Sequence, residues 1–154
     1  MSSSDIIHTG GCFCKAVRYQ VTGKPVTSAY CHCTLCQRLQ GAAFISTLHF
    51  SASNFSWTHS EPHDAALDVF EVTSKPWKKR RRCKNCGCTV ASYNSKSELW
   101  SVWGTQFDRD EDGKIKGWDT IKPTAHIFYE TRLLDVQDDL GKWTGYESKS
   151  ERIA

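Results

Sequence analysis

Eight cysteines, arranged in three short groups, are the residues of this chain whose spacing could do chemistry. The groups are C-x-C at Cys12 and Cys14, C-x-C-x2-C at Cys31, Cys33 and Cys36, and C-x2-C-G-C at Cys83, Cys86 and Cys88. In extended backbone, side chains two residues apart share a face, so a C-x-C pair can hold one ion. In C-x2-C-G, a tight turn that glycine permits brings two thiolates together. The spacing therefore indicates metal binding rather than isolated buried thiols.

The cellular compartment decides whether clustered cysteines indicate disulfides or metal ligands. The first residues, MSSSDIIHTGG, lack the basic and apolar regions of a signal peptide, and no stretch is apolar enough to span a membrane. We therefore expect a cytoplasmic protein without a membrane partner, with the nucleus as the alternative location. Thiols stay reduced in both places, and the expected cofactor is Zn²⁺, two ions per chain.

Counting ligands leaves two schemes open. In the first, a structural zinc takes four cysteines, Cys12, Cys14, Cys83 and Cys86, and a second zinc takes three, Cys31, Cys33 and Cys36, keeping one open position. In the second scheme Cys88 fills that position, and both sites are structural. Three protein ligands with a vacant place are typical of catalytic zinc, so the first scheme implies chemistry and the second a scaffold.

The segments that must position these cysteines have mostly β character. Six segments rich in aromatic and β-branched residues predict strands: Ala16 to Val21, Ala43 to Phe50, Leu67 to Val72, Thr89 to Tyr93, Leu99 to Phe107 and Ala125 to Val136. One short helix is predicted in TLCQRLQG, with Thr34 as its N-cap and Gly41 as its stop. The expected fold class is mainly β.

Length and charge set broad limits on the function. The chain has 154 residues and no repeat or linker, which predicts one domain. Lys and Arg number 20 against 17 Asp and Glu, for a formal charge of +3. So small an excess does not by itself call for a nucleic-acid partner, and we do not expect one.

Five segments resemble those of one known family, the glutathione-dependent formaldehyde-activating (GFA) enzymes, which also include centromere protein V. They are GGCFCKAVRYQV, CHCTLCQRLQGAAF, RRRCKNCGCTV, PTAHIFYETRLLDV and KWTGYE. The resemblance runs from about Gly10 to Tyr146, and the ordered cysteine groups are its most specific part. It gives the expected organisation: a flexible N-terminus at 1–9, a GFA-like zinc domain at 10–146 and a C-terminal tail at 147–154.

The resemblance implies a fold of stacked antiparallel sheets, often called a β-tent, pinned by two zinc sites. It also implies the first ligand scheme, in which Cys31, Cys33 and Cys36 hold the zinc that meets glutathione. Cys88 stands where the family usually has another residue, and we expect it to pack as a small apolar side chain.

A zinc ion with three thiolate ligands has a formal site charge of −1, which makes it a weak Lewis acid toward water. It can still take an incoming thiol as thiolate. We therefore predict a zinc-dependent carbon–sulfur lyase that acts on glutathione adducts of an aldehyde-type carbon, with glutathione as co-substrate. No general acid or base is assigned. We expect His32 to lie beside the metal site or at the surface, and His126 to be a core residue with its ring nitrogens satisfied.

The alternative function is a non-catalytic zinc-binding module that carries glutathione or docks on chromatin or nucleic acid. It would use the basic run 78–82, which comprises Lys78, Lys79, Arg80, Arg81 and Arg82. A solvated hairpin or an edge strand explains the same charges without a partner.

Overall fold

A computed structural model describes residues 6–154. These residues contain eleven strands: β1 (Ile7–Gly11), β2 (Arg18–Thr22), β3 (Thr27–Cys31), β4 (Ile45–Ser51), β5 (Phe55–Trp57), β6 (Leu67–Glu71), β7 (Lys78–Cys83), β8 (Thr89–Asn94), β9 (Leu99–Trp103), β10 (Ala125–Ile127) and β11 (Gly141–Lys142). They also contain two short α-helices, α1 (Thr34–Gln40) and α2 (Trp118–Ile121), and four 3-10 turns. The strands form two sheets, so the predicted mainly β fold is confirmed.

The described chain divides into two compact units. Unit 1 comprises residues 6–26 and 48–121, and unit 2 comprises residues 27–47 and 122–154. Strand β4 is split between the units after Thr47. The predicted boundaries at residues 10 and 147 stay predictions. Residues 7–9 of the expected flexible N-terminus lie in β1, and residues 1–5 lie outside the described part of the chain.

Unit 1 holds the antiparallel pairing that the resemblance implies. Strand β2 pairs with β1 on one side and β5 on the other, and strands β6 to β9 pair with their neighbours in chain order. The sheet surfaces bury Tyr19, Leu48, Phe50, Val90 and Val102 completely. This burial of aromatic and branched apolar side chains is the main stabilising contribution to the unit.

Unit 2 departs from purely antiparallel pairing. Strand β10 pairs in parallel with β3 and with β11. Parallel neighbours need a long connection between them, and the chain supplies one because β3 and β10 are far apart in sequence. The small core of this unit contains Ala29, Ala125 and Ile127 together with two cysteines, Cys31 and Cys36.

Several predicted boundaries are wrong, each for a local reason. Helix α1 exists, but its N-cap is Cys33 rather than Thr34, since the Cys33 side chain accepts a hydrogen bond from the Cys36 amide. Gly41 ends the helix in the left-handed conformation, at φ 61°, as predicted. Strand β9 ends at Trp103, where a 3-10 turn begins, and β10 ends at Ile127, because Phe128 adopts a left-handed φ of 52°.

Five strands were not predicted, namely β1, β3, β5, β7 and β11. Strands β1 and β3 are rich in Gly, Ser, Thr and Ala, and β5 and β11 are very short, so none has a strong apolar period. Strand β7 has the sequence KKRRRC and lacks apolar residues before its cysteine. Its pairing with both β6 and β8 overrides the low β-propensity of that charge run.

We predict that Leu48→Ala lowers the free energy of unfolding by about 2–5 kcal/mol, because a fully buried leucine leaves a cavity when truncated. Urea denaturation followed by circular dichroism measures this. Leu133→Ala is the matched control: its side chain is 69% exposed, so the change should stay within about 0.5 kcal/mol. Equal losses in both variants would contradict the assignment of Leu48 to the core.

Candidate metal centres

Four cysteines from two separate segments of unit 1 meet at one place. Cys12 and Cys14 lie in the turn between β1 and β2, Cys83 is the last residue of β7, and Cys86 lies in the turn that follows. The Cys12 and Cys14 Sγ atoms are 3.6 Å apart, and Cys14 Sγ is 3.7 Å from Cys83 Sγ. All four sulfurs lie within 4.8 Å of one another.

Backbone amides hold two of these sulfurs in place. The Val17 amide donates to Cys12 Sγ at 3.3 Å, and the Cys86 amide donates to Cys83 Sγ at 3.5 Å. Gly11 allows the first turn to close, since a Cβ atom there would lie 2.1 Å from the Val17 carbonyl oxygen. A side chain at position 11 would therefore displace the segment that carries Cys12.

Three further cysteines meet in unit 2. Cys31 ends β3, Cys33 caps α1, and Cys36 lies in the first turn of that helix. The sulfurs of Cys31 and Cys36 are 3.6 Å apart, and all three lie within 4.8 Å of one another. The Cys36 amide donates to Cys33 Sγ at 3.2 Å, so the helix N-terminus helps to fix the cluster.

The sulfur spacing fits a tetrahedral ion. A zinc–sulfur bond of about 2.3 Å places two tetrahedral sulfurs roughly 3.8 Å apart. The measured separations of 3.6 and 3.7 Å match this value. The four-cysteine cluster would complete a tetrahedron, and the three-cysteine cluster would supply three of its corners. Both clusters could hold a metal ion, whereas zinc as the identity of that ion stays a prediction.

The thiols of both clusters interact electrostatically with their neighbours. The sulfurs of Cys33 and Cys36, followed by burial, raise the pKa of the Cys31 thiol far above its ordinary value. Burial raises the pKa of the Cys12 thiol to about 12. Thiols this close together cannot all ionise without a cation between them, and a bound metal supplies that cation while displacing their protons.

Cys88 belongs to neither cluster. Its side chain is partly buried against the hydrophobic core of unit 1, and its carbonyl accepts a hydrogen bond from the Cys83 amide. This environment agrees with the expectation of a small packed side chain. The structure thus brings together the four and the three sulfurs of the first ligand scheme, while the structural and catalytic roles stay predictions.

A chain of polar side chains extends from the three-cysteine cluster through unit 2. His32 Nε2 lies 2.9 Å from His126 Nδ1, and His126 Nε2 lies 2.7 Å from Asp138 Oδ2. Lys142 Nζ donates to Asp138 Oδ1 at 2.7 Å. Both histidines are fully buried. His126 is therefore the satisfied core residue that was expected, whereas the surface position considered for His32 is wrong.

Asp138 and Lys142 were missed because nothing in QDDLGKW indicates burial or a partner. Burial acts to raise the pKa of the Asp138 carboxyl, but hydrogen bonds from His126 and Lys142 outweigh it and lower the pKa to about 2. The group is therefore an anion at neutral pH. Burial is the largest cause that lowers the pKa of His32 to about 4.

Aromatic side chains surround the histidine pair. The His32 ring stacks on Phe44 at 4.7 Å and meets the edge of Tyr129 at 4.9 Å between centroids. Tyr146 packs edge-on against Phe128 at 5.2 Å. Burial, followed by the charges of the three clustered cysteines, raises the pKa of the Tyr146 phenol. A neutral phenol near the sulfurs is a feature that spacing alone could not reveal.

The basic run 78–82 in β7 is neither an edge strand nor a continuous cationic surface. The Arg80 side chain is buried, with its guanidinium 5.2 Å from the Trp103 ring, and Arg81 lies 4.7 Å above Trp100. Arg82 pairs with Asp68 at 3.4 Å. Three of the five cations therefore interact with neighbours in the same unit.

Comparison with known proteins identifies the family. The sequence profile described as glutathione-dependent formaldehyde-activating enzyme matches residues 7–131. This match spans most of the chain and all of its cysteines, and the chain belongs to that family. No curated protein sequence gives a significant match.

One solved structure resembles the chain at low identity. It is the crystal structure of a Rhodobacter sphaeroides protein that was a structural genomics target. The two chains share 18% identity with a TM-score of 0.49, and the match covers 70% of this chain and 96% of the other.

Among the described residues, no helix has the length and apolarity needed to cross a membrane.

We predict that Asp138→Asn destabilises the protein more at pH 7 than at pH 3. A carboxyl whose folded pKa is about 2, below its ordinary 3.8, stabilises the fold above pH 3.8 and loses that contribution as pH falls toward 2. Thermal unfolding of wild type and variant across this range measures the difference. Both proteins are measured after their metal has been removed with a chelator, so that metal release on thiol protonation does not contribute to the difference.

Asp135→Asn is the control for this pH series. Asp135 pairs with Arg132 at 2.6 Å, but its side chain is 71% exposed, and exposed ion pairs contribute little. A wild-type advantage over Asp138→Asn that stays constant from pH 7 to pH 3 would rule out the ionised Asp138 as its source.

Proposed function

We propose that this protein is a zinc-dependent carbon–sulfur lyase that makes or breaks the bond between the glutathione sulfur and an aldehyde-type carbon. One observation supports the proposal most directly. Cys31, Cys33 and Cys36 form a cluster of three sulfurs, and no fourth cysteine, histidine or carboxylate of the described residues joins it. A tetrahedral ion bound there keeps a position for a ligand from outside the chain.

Cys31, Cys33 and Cys36 would hold the zinc ion, which when bound would supply a position at which the glutathione sulfur is a thiolate at neutral pH. In the forward direction that sulfur forms a bond to the carbonyl carbon, and the carbonyl electron pair moves to oxygen. The oxygen takes up the proton that the thiol has lost, which gives a hydroxyalkyl thioether. The reverse sequence cleaves the carbon–sulfur bond and returns the aldehyde and the thiol.

The neighbours of the cluster support thiol chemistry over water activation. Three thiolates leave a formal charge of −1 on a divalent ion, which weakens its ability to ionise water. The buried rings of His32 and Tyr129 and the partly buried ring of Phe44 keep the surroundings largely apolar. The phenol of Tyr146, whose ordinary pKa of about 10 is raised here, carries its proton at neutral pH and can donate a hydrogen bond.

Three residues that flank the three-cysteine cluster in the sequence, Tyr30, Gln37 and Arg38, differ in how available they are to a substrate. Gln37 Nε2 donates to the carbonyls of His32 at 2.7 Å and Thr131 at 2.9 Å. Its amino group is therefore already used in hydrogen bonds within the protein. The Tyr30 ring lies 5.2 Å from the His126 ring. Arg38 is exposed on α1 and can meet a carboxylate of glutathione.

The alternative, a module that docks on nucleic acid, has less support. It depends on the basic run, in which Arg80 is buried, Arg81 lies over a tryptophan and Arg82 pairs with Asp68. Phosphate binding requires cations that are free to approach the backbone of the nucleic acid.

We predict that glutathione binds zinc-loaded wild type and binds Cys36→Ser at least about tenfold more weakly, because the variant removes a ligand of the open site. Isothermal titration calorimetry measures both affinities. S-methylglutathione tests the thiol itself, since it keeps every other group and cannot supply a thiolate.

Cys88→Ser is the matched cysteine control, because Cys88 lies outside both clusters. We expect it to bind glutathione like wild type. Binding of S-methylglutathione as tight as that of glutathione would refute the proposal that the sulfur enters the metal site. Equal binding by Cys36→Ser would refute the assignment of that site to the three cysteines.

A further inference from the structure

The residue between two of the clustered cysteines, His32, is held by a series of hydrogen-bonded side chains, in which His126 and Lys142 are buried and the Asp138 side chain is 30% exposed. We propose that His126 and Asp138 are positioning residues of the three-cysteine site: they fix the His32 ring and thereby fix the backbone that presents Cys31 and Cys33. The inference rests on the proposed function in one respect, namely that this cluster binds a metal ion.

When both imidazole rings are neutral, the hydrogen bonds from His32 through His126 to Asp138 allow only one assignment of donors and acceptors. The Asp138 carboxylate can only accept, so His126 Nε2, 2.7 Å away, carries the hydrogen. His126 Nδ1 is then an acceptor and takes the hydrogen of His32 Nε2 at 2.9 Å. His32 Nδ1 therefore carries no hydrogen, and this buried atom has no hydrogen-bond partner among the described residues. One carboxylate thus sets the tautomers of both rings.

The backbone of His32 is fixed at both its polar groups. Its amide donates to the Ile127 carbonyl at 3.0 Å, and its carbonyl accepts from Gln37 Nε2 at 2.7 Å and from Thr131 Oγ1 at 2.9 Å. The His32 ring is stacked between its aromatic neighbours, as described above. The packed ring cannot turn about its side-chain bonds without displacing Phe44 or Tyr129, so loss of its hydrogen bond would strain the residue to which both Cys31 and Cys33 are covalently joined.

Asp138, the member of this hydrogen-bonded series farthest from the cysteines, is also held in place by other groups. Lys142 has a side chain that is only 8% exposed, and its Nζ donates to Asp138 Oδ1 at 2.7 Å and to the Asp138 carbonyl at 3.1 Å. The Leu140 amide donates to Asp138 Oδ1 at 3.1 Å. The carboxylate is thus held by three donors, counting His126, and does not need to be ordered when metal or substrate binds.

Removing the Asp138 carboxylate breaks this arrangement at a predictable point. His126 Nε2–H would be left buried without an acceptor, which is costly, so the ring would turn or change tautomer. His32 would then lose its acceptor in the same way. The three sulfurs would no longer be preorganised, and metal affinity would fall at this cluster alone, since the four-cysteine cluster belongs to unit 1.

Cobalt binding to the full-length protein tests the inference. Co²⁺ is titrated into metal-free wild type, Asp138→Ala and Asp135→Ala, with Cys36→Ser identifying the signal of the three-cysteine site. The absorption bands report the affinity and ligand geometry of each site. We expect Asp138→Ala to weaken the three-cysteine site by about 10- to 100-fold and to shift its bands, with the other site unchanged.

Asp135→Ala is the matched control and should leave both sites unchanged, since it removes an exposed carboxylate from the same segment. Asp138→Asn, which keeps an acceptor for His126, should fall between wild type and Asp138→Ala. If Asp138→Ala does not fold, the same Co²⁺ titration compares Asp138→Asn with Asp135→Asn, and only Asp138→Asn should weaken the three-cysteine site.

Two results overturn the inference: wild-type affinity and bands in the Asp138 variants, or an equal weakening of both sites. A different result, wild type with no Co²⁺ at the three-cysteine site, overturns the proposed function itself.

Discussion

The close approach of sulfur atoms is the constraint on which the rest of this structure depends. Unit 1 has a cluster of four thiols and unit 2 a cluster of three, and within each cluster the sulfurs lie within 4.8 Å of one another. At this distance the thiols of one cluster cannot all be anions without a cation. The fold places them there by joining strand ends to tight turns. A metal ion bound between the sulfurs would remove the repulsion, and in unit 1 it would also crosslink two segments that are distant in sequence.

The two clusters differ in what the chain leaves for other ligands. The unit 1 cluster has four sulfurs, those of Cys12 and Cys14 from one turn and those of Cys83 and Cys86 from a second segment, and would complete the coordination of a tetrahedral ion by itself. The unit 2 cluster draws all its ligands from six consecutive residues, and its other neighbours are aromatic rings and the His32 imidazole. The same ion would therefore be a crosslink in one place and a thiol-binding site in the other.

Cysteine spacing predicted which sulfurs meet, because C-x-C and C-x2-C turns are local and their geometry follows from a few residues. Strong apolar patterns likewise predicted six of the strands. The charged strand β7, the parallel pairing of β10 and the ion pair of Asp138 with Lys142 depend on contacts between residues distant in sequence or in irregular loops. Propensity and periodicity carry no information about such contacts, so these features required the structure.

The most direct test of the account is to observe the bond between the metal and the glutathione sulfur. Glutathione with selenium in place of sulfur would be bound to the zinc-loaded protein under reducing conditions and measured by X-ray absorption at the selenium edge. If the glutathione sulfur enters the three-cysteine site, selenium will have zinc as a direct neighbour in wild type and will lack it in Cys36→Ser. A selenium atom in bound ligand with only carbon as its neighbour would contradict the open three-cysteine site.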